Sequence, residues 1–217
     1  ADIPDRREER GEGVDAGLLV EAWGVAREAA EGEEEVGVLL TPEMQTLYPG
    51  GAARCNYLTT DRQDISFATK ELCRAMSAPT EADMTALKHL CRYLKGRPRL
   101  VQRIPRTAPR GGARMVKVYV DSDWAGCRRT RKSTNGGALM LHGPCLKYWS
   151  TTQAVLALSS GEAEFNDVVR GSGVGLGSQS LLRDLGVQVP LRVWSDSSAA
   201  IGICPRQGLG KLRHLDT

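Results

Sequence analysis

V-K-V-Y-V-D-S-D-W-A-G, residues Val116–Gly126, decides the fold of the C-terminal half of this 217-residue chain. Val116, Val118 and Val120 alternate with Lys117 and Tyr119, the period of a half-buried strand, and the strand hands Asp121 to its end. Asp196 follows Leu191 and Val193 in the same way, among the turn formers Ser195 and Ser197. Between them S-S-G-E-A-E-F, Ser159–Phe165, reads as a helix start. Ser159 or Ser160 is its N-cap, Glu162 answers the helix dipole in the first turn, and Glu164 sits about one turn in. Asp216, in R-H-L-D, opens a further helix. A single Asp after a strand is more often a turn former than a ligand. Four acids in the order Asp, Glu, Asp, Asp at strand ends and helix starts instead form a set of hard oxygen donors suited to divalent metal ions.

Working outward, the pattern predicts strands over 116–120, about 134–142 and about 145–150, a helix over about 160–185, a strand over 191–195 and a helix over 197–204. That order predicts an α/β fold: a mixed sheet of three antiparallel strands, extended by a parallel strand through a helix crossover. The crossover helix carries G-S-G-V-G-L-G at Gly171–Gly177. It is not a nucleotide loop, because Leu176 stands where the third glycine belongs and no strand precedes it. Four glycines in a helix predict weakening or a kink, at up to about 1 kcal/mol each.

Upstream, residues 39–96 read as a small helical segment. Ile65, Phe67, Leu72 and Met76 share one face of a helix over 64–76, and Thr80-Glu-Ala-Asp83 resembles a capping box for a second, which ends at Gly96 before Pro98. Two helices alone make a thin core, so this unit is expected to pack on something more. Residues 97–114 form a basic Pro/Gly linker with Arg at 97, 99, 103, 106, 110 and 114, either a phosphate-gripping tether or a solvated spacer.

Net charge +3 hides an asymmetry. Residues 1–40 carry 12 acids against 4 Arg, and residues 1–38 are expected to be disordered or to form one marginal helix; residues 41–217 carry 25 Lys and Arg against 14 acids, a surplus of +11 that suits a polyanion. The six cysteines form no C-x-x-C pair and have no His at zinc spacing, which predicts reduced thiols in an intracellular protein. No stretch reads as a membrane span or secretion signal. The chain begins at Ala1 and its first Met is Met44, which predicts a piece of a longer reading frame.

From Met115 onward six motifs stand in series. They are Y-V-D-S-D-W-A-G (Tyr119–Gly126), R-K-S-T-N-G (Arg131–Gly136), W-S-T-T-Q (Trp149–Gln153), S-S-G-E-A-E (Ser159–Glu164), S-D-S-S-A-A (Ser195–Ala200) and K-L-R-H-L-D (Lys211–Asp216). This series resembles the ribonuclease H domain of Ty1/copia-type retrotransposon polyproteins. L-T-P-E at Leu40, A-R-C-N-Y-L-T-T-D-R-Q-D-I at Ala53, M-S-A-P-T at Met76 and L-K-H-L-C-R-Y-L-K-G at Leu87 resemble the tail that follows the polymerase core in the same polyproteins. The resemblance covers nearly all of residues 40–217 and implies a ribonuclease H-like domain over 115–217.

It further implies cleavage of the RNA strand of an RNA/DNA hybrid. Asp121, Glu164, Asp196 and Asp216 would bind two Mg²⁺ ions, with Mn²⁺ as a substitute, and Asp123 would support them. Arg131, Ser133, Thr134 and Ser197 would face substrate, and His214 would either join them or cap the last helix. The hybrid and the rest of the polyprotein are the implied partners, with no membrane and no small-molecule cofactor, in a cytoplasmic particle or the nucleus. Y-V-D-S at Tyr119–Ser122 resembles the Y-V-D-D of reverse transcriptases but lacks the second adjacent acid, so no polymerase motif is present. The chain stops one residue after Asp216, so weak cleavage or none is expected, and a non-catalytic relic or nucleic-acid-binding module is the second reading.

Overall fold

The computed structural model describes residues 37–101, 104, 115–127 and 130–206. Contacts divide the chain into two compact units, with the division between residues 105 and 106.

The first unit is helical: α1 (Pro42–Leu58), a 3₁₀ turn (Gln63–Ile65), α2 (Ser66–Arg74) and α3 (Glu81–Gly96). Thr41 precedes α1, and Pro42 occupies its first turn, where a missing N–H costs nothing. The sequence reading did not include α1, whose Pro49-Gly50-Gly51 has poor helix propensity. Packing overrides propensity here. Tyr48 is fully buried and donates its hydroxyl to the Leu72 carbonyl at 2.9 Å, while a Cβ at Gly51 would come within 2.9 Å of Leu87. α1 is thus the third wall that two helices lacked, around a core of Tyr48, Ala52, Ile65, Leu72, Leu87 and Leu90.

The helix expected over 64–76 starts as the 3₁₀ turn. The capping box of α3 forms as expected, with Thr80 N–H donating to Asp83 at 2.8 Å and Thr80 Oγ1 accepting from Asp83 N–H at 3.3 Å. D-R-Q-D-I forms a buried polar knot. Arg62 donates to both carboxylate oxygens of Asp64 at 3.0 and 2.7 Å and to the Arg97 carbonyl at 2.8 Å, and Tyr93 donates to Asp64 at 2.8 Å. Each charge is matched, which is the condition for keeping an ion pair away from water.

The second unit is an open mixed sheet in the order β3-β2-β1-β4, with β1 (Val116–Asp123), β2 (Thr134–Leu141), β3 (Cys145–Thr152) and β4 (Leu191–Trp194). β1 pairs antiparallel with β2, from Val116↔Leu141 to Asp123↔Thr134, and parallel with β4, from Val116↔Leu191 to Tyr119↔Trp194. β1 runs past the expected end at Val120, so Asp121 lies within the strand rather than after it. It lies beyond the last β1–β4 pair, where the sheet opens.

The crossover helix α4 (Ser160–Asp184) packs on Val116, Val118 and Val120. The helix runs unbroken for 25 residues through the four glycines. Two of them serve close approach: a Cβ at Gly171 would overlap Val120, and one at Gly175 would stand 2.6 Å from Leu191. Gly173 and Gly177 face open space. Gly173→Ala and Gly177→Ala are therefore expected to stabilise the protein by up to about 1 kcal/mol each, whereas Gly171→Ala destabilises it. Urea denaturation of the three variants checks the opposite signs. A short helix, α5 (Ser198–Ile203), follows β4. No helix among the described residues is long and apolar enough to cross a membrane.

Candidate metal centre

The end of β1 is fixed by its own turn. Ala125 sits in the left-handed region at φ 53°, and its N–H donates to Ser133 Oγ at 3.0 Å. Asp123 accepts from the N–H of Thr134, and a Cβ at Gly126 would overlap that carboxylate, so the glycine of D-W-A-G is sterically required. Trp124 Nε1 donates to the Ala157 carbonyl at 3.2 Å, tying the turn to the loop before α4. Gln153, the last residue of W-S-T-T-Q, donates its backbone N–H to Ser133 O and its side-chain amide to Ala163 O, both at 2.8 Å. These motif residues form the frame that holds β1, β2 and α4 in register.

α4 starts at the N-cap Ser159, whose Oγ accepts from Glu162 N–H at 3.2 Å. Glu162 is buried and accepts from Leu158 N–H at 2.8 Å. It is therefore a clamp on the incoming loop as well as a first-turn acid. Asp196 lies in the loop between β4 and α5, next to Ser197, the N-cap of α5, whose Oγ accepts from Ala200 N–H at 3.2 Å.

Asp121, Glu164 and Asp196 converge. Each offers a carboxylate oxygen, and the three oxygens lie within 4.8 Å of one another. Glu164 is partly buried, with one oxygen buried and lacking a well-formed hydrogen bond. Its burial, followed by the charge of Asp121, pushes its pKa up to about 7, while donors on Ser122 and the charge of Asp196 act in opposite senses. Asp121 keeps solvent access on one side, yet crowding on the other raises its pKa, with the Asp196 charge adding to the effect. Acids such as Asp121 and Glu164, raised by burial and by neighbouring carboxylate charge, form a site that a hard cation relieves. The donor set fits a divalent ion with oxygen preference.

Asp167, one turn beyond Glu164 on α4, was absent from the sequence reading. It is fully buried, and burial ahead of the Glu164 charge pushes its pKa up to about 8. Its three-residue spacing from Glu164 on one helix face was the signal that could have found it.

Of the other expected site residues, Arg131 is exposed at φ 55°, Ser133 and Thr134 are buried in the frame, and Ser197 caps α5. His214 and Asp216 lie outside the described residues.

Three antiparallel strands with a parallel fourth reached through a helix are the ribonuclease H-like arrangement. Among curated proteins, the chain is 33% identical over 161 residues to the retrovirus-related Pol polyprotein from transposon RE1 of Arabidopsis thaliana. That match covers 73% of this chain and 11% of the relative. It is 27% identical over 157 residues to the Pol polyprotein from transposon TNT 1-94 of Nicotiana tabacum, covering 71% of this chain and 11% of the relative. It is also 33% identical over 108 residues to secreted RxLR effector protein 161 of Plasmopara viticola, covering 50% of this chain and 73% of that protein. No family model and no solved structure matches. Its homologues are Pol polyproteins from copia-type retrotransposons, and the chain matches a segment that spans about 11% of their length.

Proposed function

We propose that this chain carries the ribonuclease H activity of a copia-type Pol polyprotein and cuts the RNA strand of RNA/DNA hybrids. The supporting observation is the convergence of Asp121, Glu164 and Asp196 at the open end of a ribonuclease H-like sheet. Residues 39–96 are then the tail of the reverse transcriptase region, 97–114 a basic linker and 115–217 the ribonuclease H domain.

Asp121, Glu164 and Asp196, joined by Asp216, would hold two Mg²⁺ ions, with Mn²⁺ able to replace them. Such ions, when bound, activate water and stabilise the leaving oxygen of a phosphodiester. The chain's own residues fix the geometry. Asp123, Ser133 and Thr134 lock the turn after β1, Ser197 holds the start of α5 beside Asp196, and Arg131, which is exposed, would contact a phosphate. Ser133 and Thr134 thus serve substrate through the frame, and His214 is assigned to the substrate side. The hybrid would be told from duplex DNA by its 2′-hydroxyls and groove shape.

The test is cleavage of an end-labelled hybrid with Mg²⁺, beside duplex DNA and single-stranded RNA. RNA-strand cleavage of the hybrid that is lost in Asp121→Asn and on chelation supports the proposal. Hybrid binding without cleavage by the wild type would instead support a non-catalytic binding module. Because residues 41–217 carry a surplus of +11, hybrid affinity is expected to fall steeply with salt. Affinity that stays flat over a several-fold change in salt would leave the surplus a solubility feature.

A further inference from the structure

The loop from Gln153 to Leu158, between β3 and α4, is held through its backbone and presents apolar side chains outward. Gln153 N–H donates to Ser133 O at 2.8 Å, and Lys132 Nζ donates to Ala154 O at 2.7 Å. Trp124 Nε1 donates to Ala157 O at 3.2 Å, and Leu158 N–H donates to Glu162 at 2.8 Å. Between these ties Val155 is 54% exposed, Leu156 49% and Leu158 66%, and Trp124 is itself 51% exposed. Single exposed apolar residues are ordinary. Three on one fixed loop, with an indole bonded to the same loop, form a patch of the kind that marks a partner.

The place of the patch in the fold selects the partner. Trp124 follows Asp121 by three residues in the turn after β1, and Leu158 precedes Glu164 by six on the way into α4. The elements that position the acids therefore also position the patch. Lys132, whose ammonium meets Ala154, sets a cation at its edge, and exposed Arg131 precedes Lys132 in the β1–β2 turn. A phosphodiester brought to Asp121, Glu164 and Asp196 carries its neighbouring sugars with it. In an A-like duplex these line a wide, shallow minor groove, a surface that an apolar platform can meet while cations take the phosphates. A protein seated on the patch would stand in the way of that groove.

We propose that Trp124, Val155, Leu156 and Leu158 form an apolar platform that seats the minor-groove sugars of the RNA/DNA hybrid beside the phosphodiester at the metal centre. The Trp124 ring lies against sugar and base-edge C–H groups, and the three aliphatic side chains extend that surface. Contacts of this kind add affinity without releasing counterions, so they leave the salt dependence of binding to the basic residues. The inference rests on the ribonuclease H reading and names the part of the hybrid that this loop contacts.

The test is binding of a fluorescently labelled RNA/DNA hybrid to the whole chain, followed by anisotropy over a range of salt with Ca²⁺ in place of Mg²⁺, with thermal unfolding and gel filtration of each variant alongside. Trp124→Ala and the double variant Leu156→Ser, Leu158→Ser are expected to bind at least roughly 5-fold more weakly, with the wild-type slope of log affinity against log salt. Arg131→Ala, by contrast, is expected to reduce that slope by about 1. Trp124→Phe keeps a ring but has no N–H for Ala157, and it is expected to bind more tightly than Trp124→Ala. Wild-type affinity in Trp124→Ala or in the double variant overturns the inference, as does an altered slope in either. Trp124→Phe that binds no better than Trp124→Ala also overturns it, since only the tie to Ala157 would then matter. Failure of the double variant to fold, or loss of a wild-type oligomer with hybrid affinity intact, would assign the patch to the fold or to a contact between copies and overturn it too. Absence of hybrid binding by the wild type is a separate result, which overturns the ribonuclease H reading itself and this inference with it.

Discussion

Metal-free protein is expected to lose stability as the pH rises from about 4.5 towards about 8, and saturating Mg²⁺ or Mn²⁺ is expected to reverse the loss. Glu164 is moved from 4.5 up to about 7 and Asp167 from 3.8 up to about 8, in both cases chiefly by burial. Between the unfolded and folded values the folded state keeps protons that the unfolded state has released. The stabilisation is therefore complete below the unfolded values and disappears as the pH passes the folded ones. A divalent ion binds the ionised carboxylates, so its stabilising effect grows over the same window. Urea unfolding at about pH 5 and about pH 8, with and without Mg²⁺, measures both effects. Stability that rises across the window in the metal-free protein would contradict the crowding of acids at this site.

Gly137→Ala is expected to destabilise the protein by at least about 3 kcal/mol. Gly137 is buried in the middle of β2, opposite Val120 on β1 and Trp149 on β3. A Cβ at Gly137 would overlap the indole of Trp149, which is itself buried. Trp149 belongs to the core that includes Val118 and Leu139, so moving the ring opens space there. Chemical denaturation of the variant measures the loss. A change below about 0.5 kcal/mol, the size of an ordinary surface substitution, would show that the ring gives way freely.

Much of the second unit was legible because its strands obey a period of two. Val116, Val118 and Val120 marked β1, and the acids at Asp121, Glu164 and Asp196 stood where strand, helix and loop bring them together. The capping box at Thr80 was legible for a similar reason, since it is a local pattern with a local cause. What stayed hidden depends on contacts distant in sequence. α1 forms despite Pro49-Gly50-Gly51 because Tyr48 and Gly51 fit partners on α2 and α3. Gly171 and Gly175 read as weak points until the valines of β1 are seen beneath them. Asp123 lies two residues from Asp121 in sequence, but its bond to Thr134 N–H makes it a brace across two strands. Asp167 was missed because a helical residue's burial depends on the sheet it meets, and nothing in its immediate neighbours shows that β1 and β2 lie against it.

The most direct measurement of the central claim is a calorimetric titration of the intact chain with Mn²⁺, set beside Asp121→Asn, Glu164→Gln and Asp196→Asn. Saturable binding by the wild type that weakens by at least roughly 10-fold in each variant is the predicted result, because the three oxygens lie within 4.8 Å of one another, close enough to act on bound metal together. Binding that survives unchanged in any one of the three would contradict a single centre built from these carboxylates.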